Sequence, residues 1–479
     1  MSDKIAIFVS VKQQVNDIST VLRSLSCQLE LMQKTVDSQH AEICSLNRNV
    51  DKLLKENREL RKRLEKYEKP PKDSGNSNTP PSKENMKAEV VRRTKSQRQK
   101  SDKPVGGQPG HEGNTRKMVE TPDETEDIVS QYCRECGRDL SDINGELDYV
   151  TQEIDLPPIM PVYRERRFYK KVCTCGCCNK DYTPRKRGGN AIVFGKNIRA
   201  VATYLSVVQC MPYERLQSLF ETMFNVRISQ GTLANIVREM LEKSRPAIEL
   251  IERLIKESAV VGFDESGCYV NGRLNWSWIA QTTYLTLVFR GAGRGAKVLE
   301  ERFGDSLKNM VAVTDRHSAY FAIDFLDNQI CLAHLLRNLE YLNDIDKEQT
   351  WAKDMQTLFR EAIHLRNEKP AAIIPKECWL ARLDGLLKRN LDSLRKEFNE
   401  LKRGIIKCRD YIFNFLDNPA IPSDNNASER GIRKLKVKQK ISGCFRSDTG
   451  ADAFHALHSI ADTAWKNGHS PLDAILKLV

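Results

Sequence analysis

Two aspartates stand where apolar segments end in the middle of the chain. Residues 259–263 form a short apolar segment that ends at Asp264, and residues 311–314 form another that ends at Asp315. Carboxylates at the ends of neighbouring strands project from a rigid support, and a divalent cation bound between them would neutralise their mutual repulsion. The pattern therefore predicts a shared cation site.

A third carboxylate, Glu429, follows in the segment Pro-Ser-Asp-Asn-Asn-Ala-Ser-Glu-Arg at 422–430. Asp424 or Asn425 is the expected N-cap, which puts Glu429 in the first turns of a helix. Three carboxylates can hold two Mg²⁺ ions about 3.5–4 Å apart, the arrangement used for phosphodiester cleavage. The alternative is structural: an Asp at a strand end commonly forms a turn, and Glu429 with Arg433 is an ordinary helical ion pair.

The elements that must position these carboxylates follow from local pattern. The alternation in 268–280 predicts a hairpin, and Asn271-Gly272 is its turn because both residue types tolerate positive φ. A third strand is predicted at 285–289 and a helix at 296–303, before the strand 311–314. Three strands in succession, then a helix and a strand, predict a mixed sheet.

Several motifs together resemble the transposase of the insertion-sequence 66 group. They are Asp264-Glu265-Ser266-Gly267, Trp276-Ser277-Trp278, the segment 290–294, Thr314-Asp315 with Ala319-Tyr320, and Asn425-Asn426-Ala427-Ser428-Glu429-Arg430. The resemblance covers nearly the whole chain, and its last motif is the most specific. There is one departure: the family usually has Asp-Gly before the Ala-Tyr pair, whereas this chain has Asp315-Arg316-His317.

The resemblance implies a multidomain α+β protein with an RNase H-like mixed-sheet catalytic domain that contains a helical insertion. It implies an Asp, Asp, Glu triad at Asp264, Asp315 and Glu429, with two Mg²⁺ (or Mn²⁺) ions. One ion would activate water for nicking and then the freed 3′-hydroxyl for joining, and the other would stabilise the leaving 3′ oxygen. The implied function is a DNA transposase that cleaves element ends and transfers them into target DNA. Small accessory transposition proteins are further candidate partners.

The N-terminal segment 1–67 has apolar residues at a continuous three-four spacing, which predicts a coiled coil. Asn57 falls at an a position, where a buried asparagine favours a parallel, in-register pair. We therefore expect a homodimer. The alternative is an amphipathic helix packed on its own protein.

Two cysteine pairs in the segment 111–184, Cys133-x-x-Cys136 and Cys175-x-x-Cys178, have the spacing of a structural Zn²⁺ site. Cys173 and Cys177 could substitute in the second pair. Redox cysteines or free buried thiols are the alternatives.

The remaining segments complete the domain organisation. Residues 68–110 are basic and poor in apolar residues, as in a flexible linker. Residues 185–257 are predicted to be helical, either as a helix-turn-helix that binds DNA or as a packing subdomain. The catalytic domain is predicted at 258–331 and 421–479, with a helical insertion at 332–420.

Basic residues follow Glu429, and next to a metal site they are expected to bind the phosphates of DNA. These are Arg430, Arg433, Lys434, Lys436, Lys438 and Lys440. Cys331-x-x-His334 has metal-ligand spacing but supplies only two ligands, so a supporting role near the active site or DNA is expected. It resembles a Cys-x-x-His signature that several Asp-Asp-Glu transposase families carry after the second aspartate.

Composition limits the classes of function. Lysine and arginine number 76 against 64 aspartates and glutamates, a net charge of +12 that permits a nucleic-acid partner. The 14 cysteines are too few for a disulfide scaffold in a chain of 479 residues. No apolar run is long enough to span a membrane, so we expect a cytoplasmic protein. The resemblance implies a bacterial protein associated with the nucleoid. Rival hypotheses are a zinc-dependent DNA-binding regulator without catalysis and an RNase H-like nuclease or resolvase.

Overall fold

A mixed five-stranded sheet lies at the centre of the C-terminal part of this computed structural model, which describes residues 2–68, 110, 116–180 and 192–479. The strands are β3 (Val260–Val270), β4 (Arg273–Gln281), β5 (Thr286–Gly291), β6 (Val311–Thr314) and β7 (Asp327–Ile330), in the spatial order β5-β4-β3-β6-β7. β3, β4 and β5 are antiparallel neighbours, whereas β6 and β7 run parallel to β3. The prediction of a mixed sheet is confirmed.

The β3–β4 hairpin has the predicted two-residue turn. Asn271 and Gly272 have φ angles of 49° and 75°, which both residue types tolerate. β3 is longer than predicted, because β4 pairs with it from Gly262 to Val270. The expectation that the first strand ends at Asp264 is therefore wrong: Asp264 lies inside β3, just beyond the part that pairs with β6.

Two apolar clusters cover the two faces of the sheet, and residues alternate between them along each strand as the pleat requires. Ile279 belongs to one cluster and its neighbours Trp278 and Ala280 to the other. The first cluster packs against α2 (Lys196–Val207), α3 (Tyr213–Phe224), α4 (Gln230–Lys256), α11 (Asn426–Ser442), α12 (Asp448–Lys466) and α13 (Pro471–Leu476). The second contains the short helix α5 (Lys297–Phe303) and the end of α4.

The last helix of the region 192–257 begins with a side-chain N-cap. The hydroxyl of Ser229 accepts a hydrogen bond from the Thr232 N–H at 3.2 Å, so Ser229 is the N-cap of α4. Whether α3 and α4 contact DNA as a helix-turn-helix remains a prediction.

The segment between β7 and α11 is helical, as expected for an insertion. It contains α6 (Leu332–Ile345), α7 (Trp351–Glu368), α8 (Glu377–Leu387), α9 (Lys396–Lys407) and α10 (Asn414–Asp417). The end of the insertion is bound to β7: the Gln329 side chain donates to the Ile412 carbonyl at 2.9 Å and accepts from the Phe415 N–H at 2.9 Å.

The N-terminal part contains one long helix, α1 (Ser2–Glu68), and a segment at 116–180 that has little regular secondary structure. Its strands β1 (Lys170–Val172) and β2 (Cys178–Lys180) form an antiparallel pair. The chain divides into two units, one of residues 1–87 with 337–353 and the other of 88–336 with 354–479. The linker predicted at 68–110 lies outside the described residues except for its first and last positions. Among the described helices, none is both long and apolar enough to cross a lipid bilayer.

Candidate active site

The parallel strands align three side chains in a row. Gly262 of β3 faces Val313 of β6, so the same register continued by two residues brings Asp264 opposite Asp315. The β6–β7 pairing continues beyond the strands, since the Cys331 N–H donates to the Thr314 carbonyl at 2.9 Å. Facing residues of neighbouring strands point to the same side of a sheet. Asp264, Asp315 and Cys331 therefore follow one another across three strands.

The two aspartates repel each other electrostatically. Burial, the Glu265 carboxylate and the Asp315 carboxylate raise the pKa of Asp264 from 3.8 to about 8, against smaller lowering effects of the Glu265 N–H and of Lys436. Asp315 accepts a hydrogen bond from the His317 N–H at 2.8 Å, and Asp264 accepts one from the Glu265 N–H at 2.9 Å. A partly buried acidic pair with this repulsion is a good environment for a cation.

Glu265 is the buried support of this pair. Its carboxylate accepts a hydrogen bond from the Tyr320 hydroxyl and forms an ion pair with Arg294 at 2.7 Å. The Arg294 guanidinium also lies over the Trp276 ring, 5.2 Å from its centroid. Burial and the nearby carboxylates, Glu265 foremost, raise the pKa of Tyr320 well above its ordinary value, so this hydroxyl remains a donor. These residues belong to the sequence motifs, but their roles cannot be predicted from sequence because their contacts join distant segments.

The helix that carries Glu429 is bound closely to β3. The Asn425 side chain donates to the Phe263 carbonyl at 2.6 Å, and the Ser428 hydroxyl donates to Asn425 Oδ1 at 2.5 Å. A Cβ added at Gly262 would lie 2.8 Å from both Asn425 Oδ1 and Ser428 Oγ. The absence of a side chain at Gly262 therefore allows α11 to approach the strand that bears Asp264.

Glu429 itself lies beside the end of β7. Its Oε1 atom is 3.3 Å from His334 Nε2, and its Oε2 atom is 3.7 Å from the Arg433 guanidinium. Lys436, seven residues further along α11 and thus on the same side of the helix, acts electrostatically on Asp264.

Within the part of the chain that the structure describes, Cys331, His334 and Glu429 are the one group of three metal-binding side chains whose ligand atoms all lie within 4.8 Å of one another. The oxygens of Asp264, Asp315 and Glu429 do not meet this criterion. The sheet thus brings the two aspartates together, while Glu429 contacts the Cys-x-x-His pair.

The departure at Arg316 has a structural consequence. The Arg316 guanidinium lies against α9 of the insertion, where a Cβ at Gly404 would be 2.6 Å from its Nη1 atom. Burial lowers the pKa of Arg316, against the raising effects of Cys408 and of Asp315. Arg316 therefore connects the helical insertion to the residue after the second aspartate.

The basic residues after Glu429 differ in their surroundings. Arg430, Arg433 and Lys440 are exposed, and Lys434 and Lys436 are partly buried. Lys438 points inward: its Nζ is 3.4 Å from the Ser206 carbonyl and 5.8 Å from the centroid of the Phe454 ring. Burial lowers the pKa of Lys438. This lysine packs α11 against α2 and α12, which sequence position alone does not reveal.

The cysteine segment contains two tight turns. In the first, the Gly137 N–H donates to the Cys133 carbonyl at 2.9 Å, and the N–H groups of Cys136 and Glu135 lower the pKa of the Cys133 thiol. This is the geometry of a turn that presents a thiolate to a metal.

In the second turn, the N–H and then the thiol of Cys175 lower the pKa of Cys173, whereas Cys178 lies on β2 opposite Val172. Cys173 thus has the environment that Cys133 has in the first turn. The prediction that Cys133, Cys136, Cys175 and Cys178 share one Zn²⁺ stays a prediction, as does the alternative with Cys173.

The fold and this arrangement define a class of protein: a mixed α/β domain in which two neighbouring parallel strands hold a partly buried acidic pair. The family model described as "Transposase IS66 family" matches residues 191–453, more than half of the chain, and the chain belongs to this family. The predicted membership is confirmed. A search of curated proteins found no match. The family indicates a DNA-processing enzyme, and the mixed five-stranded sheet with its many helices is consistent with an RNase H-like transposase domain.

Proposed function

We propose that this protein is a DNA transposase that cleaves DNA at the ends of an insertion sequence and joins the freed 3′ ends to target DNA. Asp264, Asp315 and Glu429 would be its catalytic carboxylates. The observation that carries the proposal is the acidic pair on neighbouring parallel strands, with the helix of Glu429 bound to the same strand through Asn425.

The residues present suit a hard divalent cation. Carboxylate oxygens are the ligands that Mg²⁺ prefers, and the Glu265 and Asp315 carboxylates beside the buried Asp264 supply negative charge that such a cation would neutralise. Mg²⁺ or Mn²⁺ bound there would supply electrostatic stabilisation of the charge that develops on the phosphate oxygens.

The chain's own residues would then do three things. Asp264 and Asp315 would hold metal-binding oxygens on a rigid sheet, and Glu429 would add a carboxylate from α11. Glu265, held by Tyr320 and Arg294, would keep Asp264 in place. The exposed side chains of Arg430, Arg433 and Lys440 would bind DNA phosphates near these carboxylates.

The other modules suit a protein that must hold two DNA ends. We propose that α1 forms a coiled coil with a second copy, because large apolar side chains along it are exposed in a single chain, such as Leu29 at 67% and Leu53 at 62%. The cysteine turns would bind structural Zn²⁺ in a module that contacts DNA.

The test is a cleavage assay with the purified full-length protein, Mg²⁺ and a plasmid that carries the element's ends. We expect Asp264→Asn to abolish nicking and joining while DNA binding, measured by gel shift, is kept. Asp305→Asn is the matched control, because the Asp305 side chain is 95% exposed and pairs with Lys308 at 3.0 Å. Nicking by the Asp264→Asn variant would contradict the proposal.

The same assay separates the rival functions. Cleavage of branched DNA without joining would indicate a resolvase. Specific binding with no Mg²⁺-dependent nicking by the wild-type protein would indicate a regulator.

A further inference from the structure

Cys331, His334 and Glu429 have the geometry of a tetrahedral metal site. Nitrogen and oxygen ligands of Zn²⁺, each bound at about 2.1 Å, lie about 3.4 Å apart in a tetrahedron. The distance between His334 Nε2 and Glu429 Oε1 is 3.3 Å. A charge-assisted hydrogen bond between these groups would be shorter, about 2.7–2.9 Å. The Cys331 thiol completes the group, with all three ligand atoms within 4.8 Å of one another.

The sulfur of Cys331 accepts hydrogen bonds from the backbone of two neighbouring segments. The Asn425 N–H donates to it at 3.1 Å, and the His334 backbone N–H also points at it. Cys331 stands directly before α6, and Asn425 directly before α11, so the positive ends of two helices meet at this atom. Such outer contacts commonly support metal-bound thiolates.

Access and burial also fit a bound ion. The Cys331 side chain is fully buried, whereas those of His334 and Glu429 are 14% and 17% exposed. Thiolate and imidazole are ligands that favour Zn²⁺ over Mg²⁺, and three protein ligands leave a fourth position for water.

We propose that Cys331, His334 and Glu429 form a transition-metal site, suited to Zn²⁺, which lies beside the acidic pair, shares Glu429 with the proposed Mg²⁺ site and is separate from the cysteine turns. The inference goes beyond the proposed function. Its consequence is that Glu429 has two partners: Oε1 belongs to the transition metal, and Oε2 is left for Mg²⁺. The ion would then fix the carboxylate in one orientation.

The experiment is a metal analysis of the full-length protein, loaded with Zn²⁺ and freed of excess ion. Wild type is compared with His334→Ala and Cys331→Ser, and each variant should hold about one Zn²⁺ fewer per chain. Subtracting the Zn²⁺ content of each variant from that of wild type removes the contribution of the cysteine turns, which all of these proteins share. With Co²⁺ instead, the difference spectrum between wild type and Cys331→Ser should show thiolate-to-cobalt charge transfer.

His364→Ala is the matched control. His364 Nε2 lies 3.1 Å from Glu368, so this pair reproduces the His–Glu contact on an exposed helix. The pair does not belong to the Cys–His–Glu group of metal-binding side chains. Its Zn²⁺ content should equal that of wild type. If Cys331→Ser fails to fold, His334→Ala decides. A folded His334→Ala variant that holds as much Zn²⁺ as wild type would overturn the proposal. The three residues would then have only a structural role, in which they connect α6 and α11.

The result is independent of the transposase proposal. Asp264→Asn should keep the full Zn²⁺ content even though it loses cleavage, because Asp264 is not a ligand of this site. Loss of cleavage by Asp264→Asn together with unchanged Zn²⁺ in His334→Ala would reject this inference alone. Cleavage by Asp264→Asn together with loss of Zn²⁺ from His334→Ala would reject the transposase proposal alone.

Discussion

Gly262→Ala tests whether the close contact between β3 and α11 positions the candidate active site. The new Cβ would lie 2.8 Å from Asn425 Oδ1 and Ser428 Oγ, whereas ordinary van der Waals contact begins at 3.4 Å, so these atoms must move by about 0.6 Å. Neither side chain can turn away freely. Asn425 is hydrogen-bonded to the Phe263 carbonyl, and Ser428 is hydrogen-bonded to Asn425. The start of α11, and Glu429 with it, must therefore shift.

We expect two effects of different size. Overpacking of this kind costs about 1–3 kcal/mol of stability, which lowers the melting temperature by a few degrees. Misplacement of a catalytic group by less than about 1 Å reduces the rate much more, on the order of 10²-fold. Cleavage should thus fall about 10²-fold in a protein that is still folded at the assay temperature.

The control is Gly267→Ala on the same strand, where the nearest atom to the new Cβ is Leu274 Cδ1 at an ordinary 3.4 Å. It should retain cleavage and stability. The double variant Gly262→Ala with Ser428→Ala removes one of the two obstructing atoms and should recover part of the activity. Full cleavage by folded Gly262→Ala would refute the view that this contact sets the position of Glu429.

Two further predictions concern pH and assembly. The raised pKa of Asp264 means that the folded state binds this proton more tightly than the unfolded chain, so its stabilising contribution is present below 3.8 and is lost as pH rises towards about 8. In metal-free protein, the free energy of unfolding by urea should therefore decline by a few kcal/mol across this pH range, since one pKa unit corresponds to about 1.4 kcal/mol. Asp264→Asn should remove this decline, and an equal decline in the variant would contradict the prediction. In α1, Leu46→Glu with Leu53→Glu should give monomers by light scattering, because both leucines belong to the three-four apolar repeat that would form the coiled-coil seam, and they are 56% and 62% exposed in a single chain. Ser45→Glu with Lys52→Glu, off the seam, should leave the mass unchanged, and equal masses for both double variants would reject the coiled-coil role.

Much of the sheet was predictable because its signals are local. The Asn271-Gly272 turn specifies a hairpin through the φ angles that these residues tolerate, and the apolar strand β6 has the predicted ends. Ser229 caps its helix by a bond to a residue three positions away. In each case the interacting groups are neighbours in the chain, so residue type and spacing determine the outcome.

The candidate site was predictable in its residues and much less in its contacts. The acidic motifs identify Asp264, Asp315 and Glu429, yet only strand pairing decides that Asp264 lies within β3 and opposite Asp315. Lys438 belongs to a basic run, but packing turns it inward against Ser206.

The tertiary structure alone decided that Glu429 meets Cys331 and His334, about a hundred residues earlier in the chain. Sequence determines which side chains are available and which face of a strand or helix they occupy. It does not determine which faces meet, because that depends on burying both sides of the sheet at once and on the close approach that Gly262 permits.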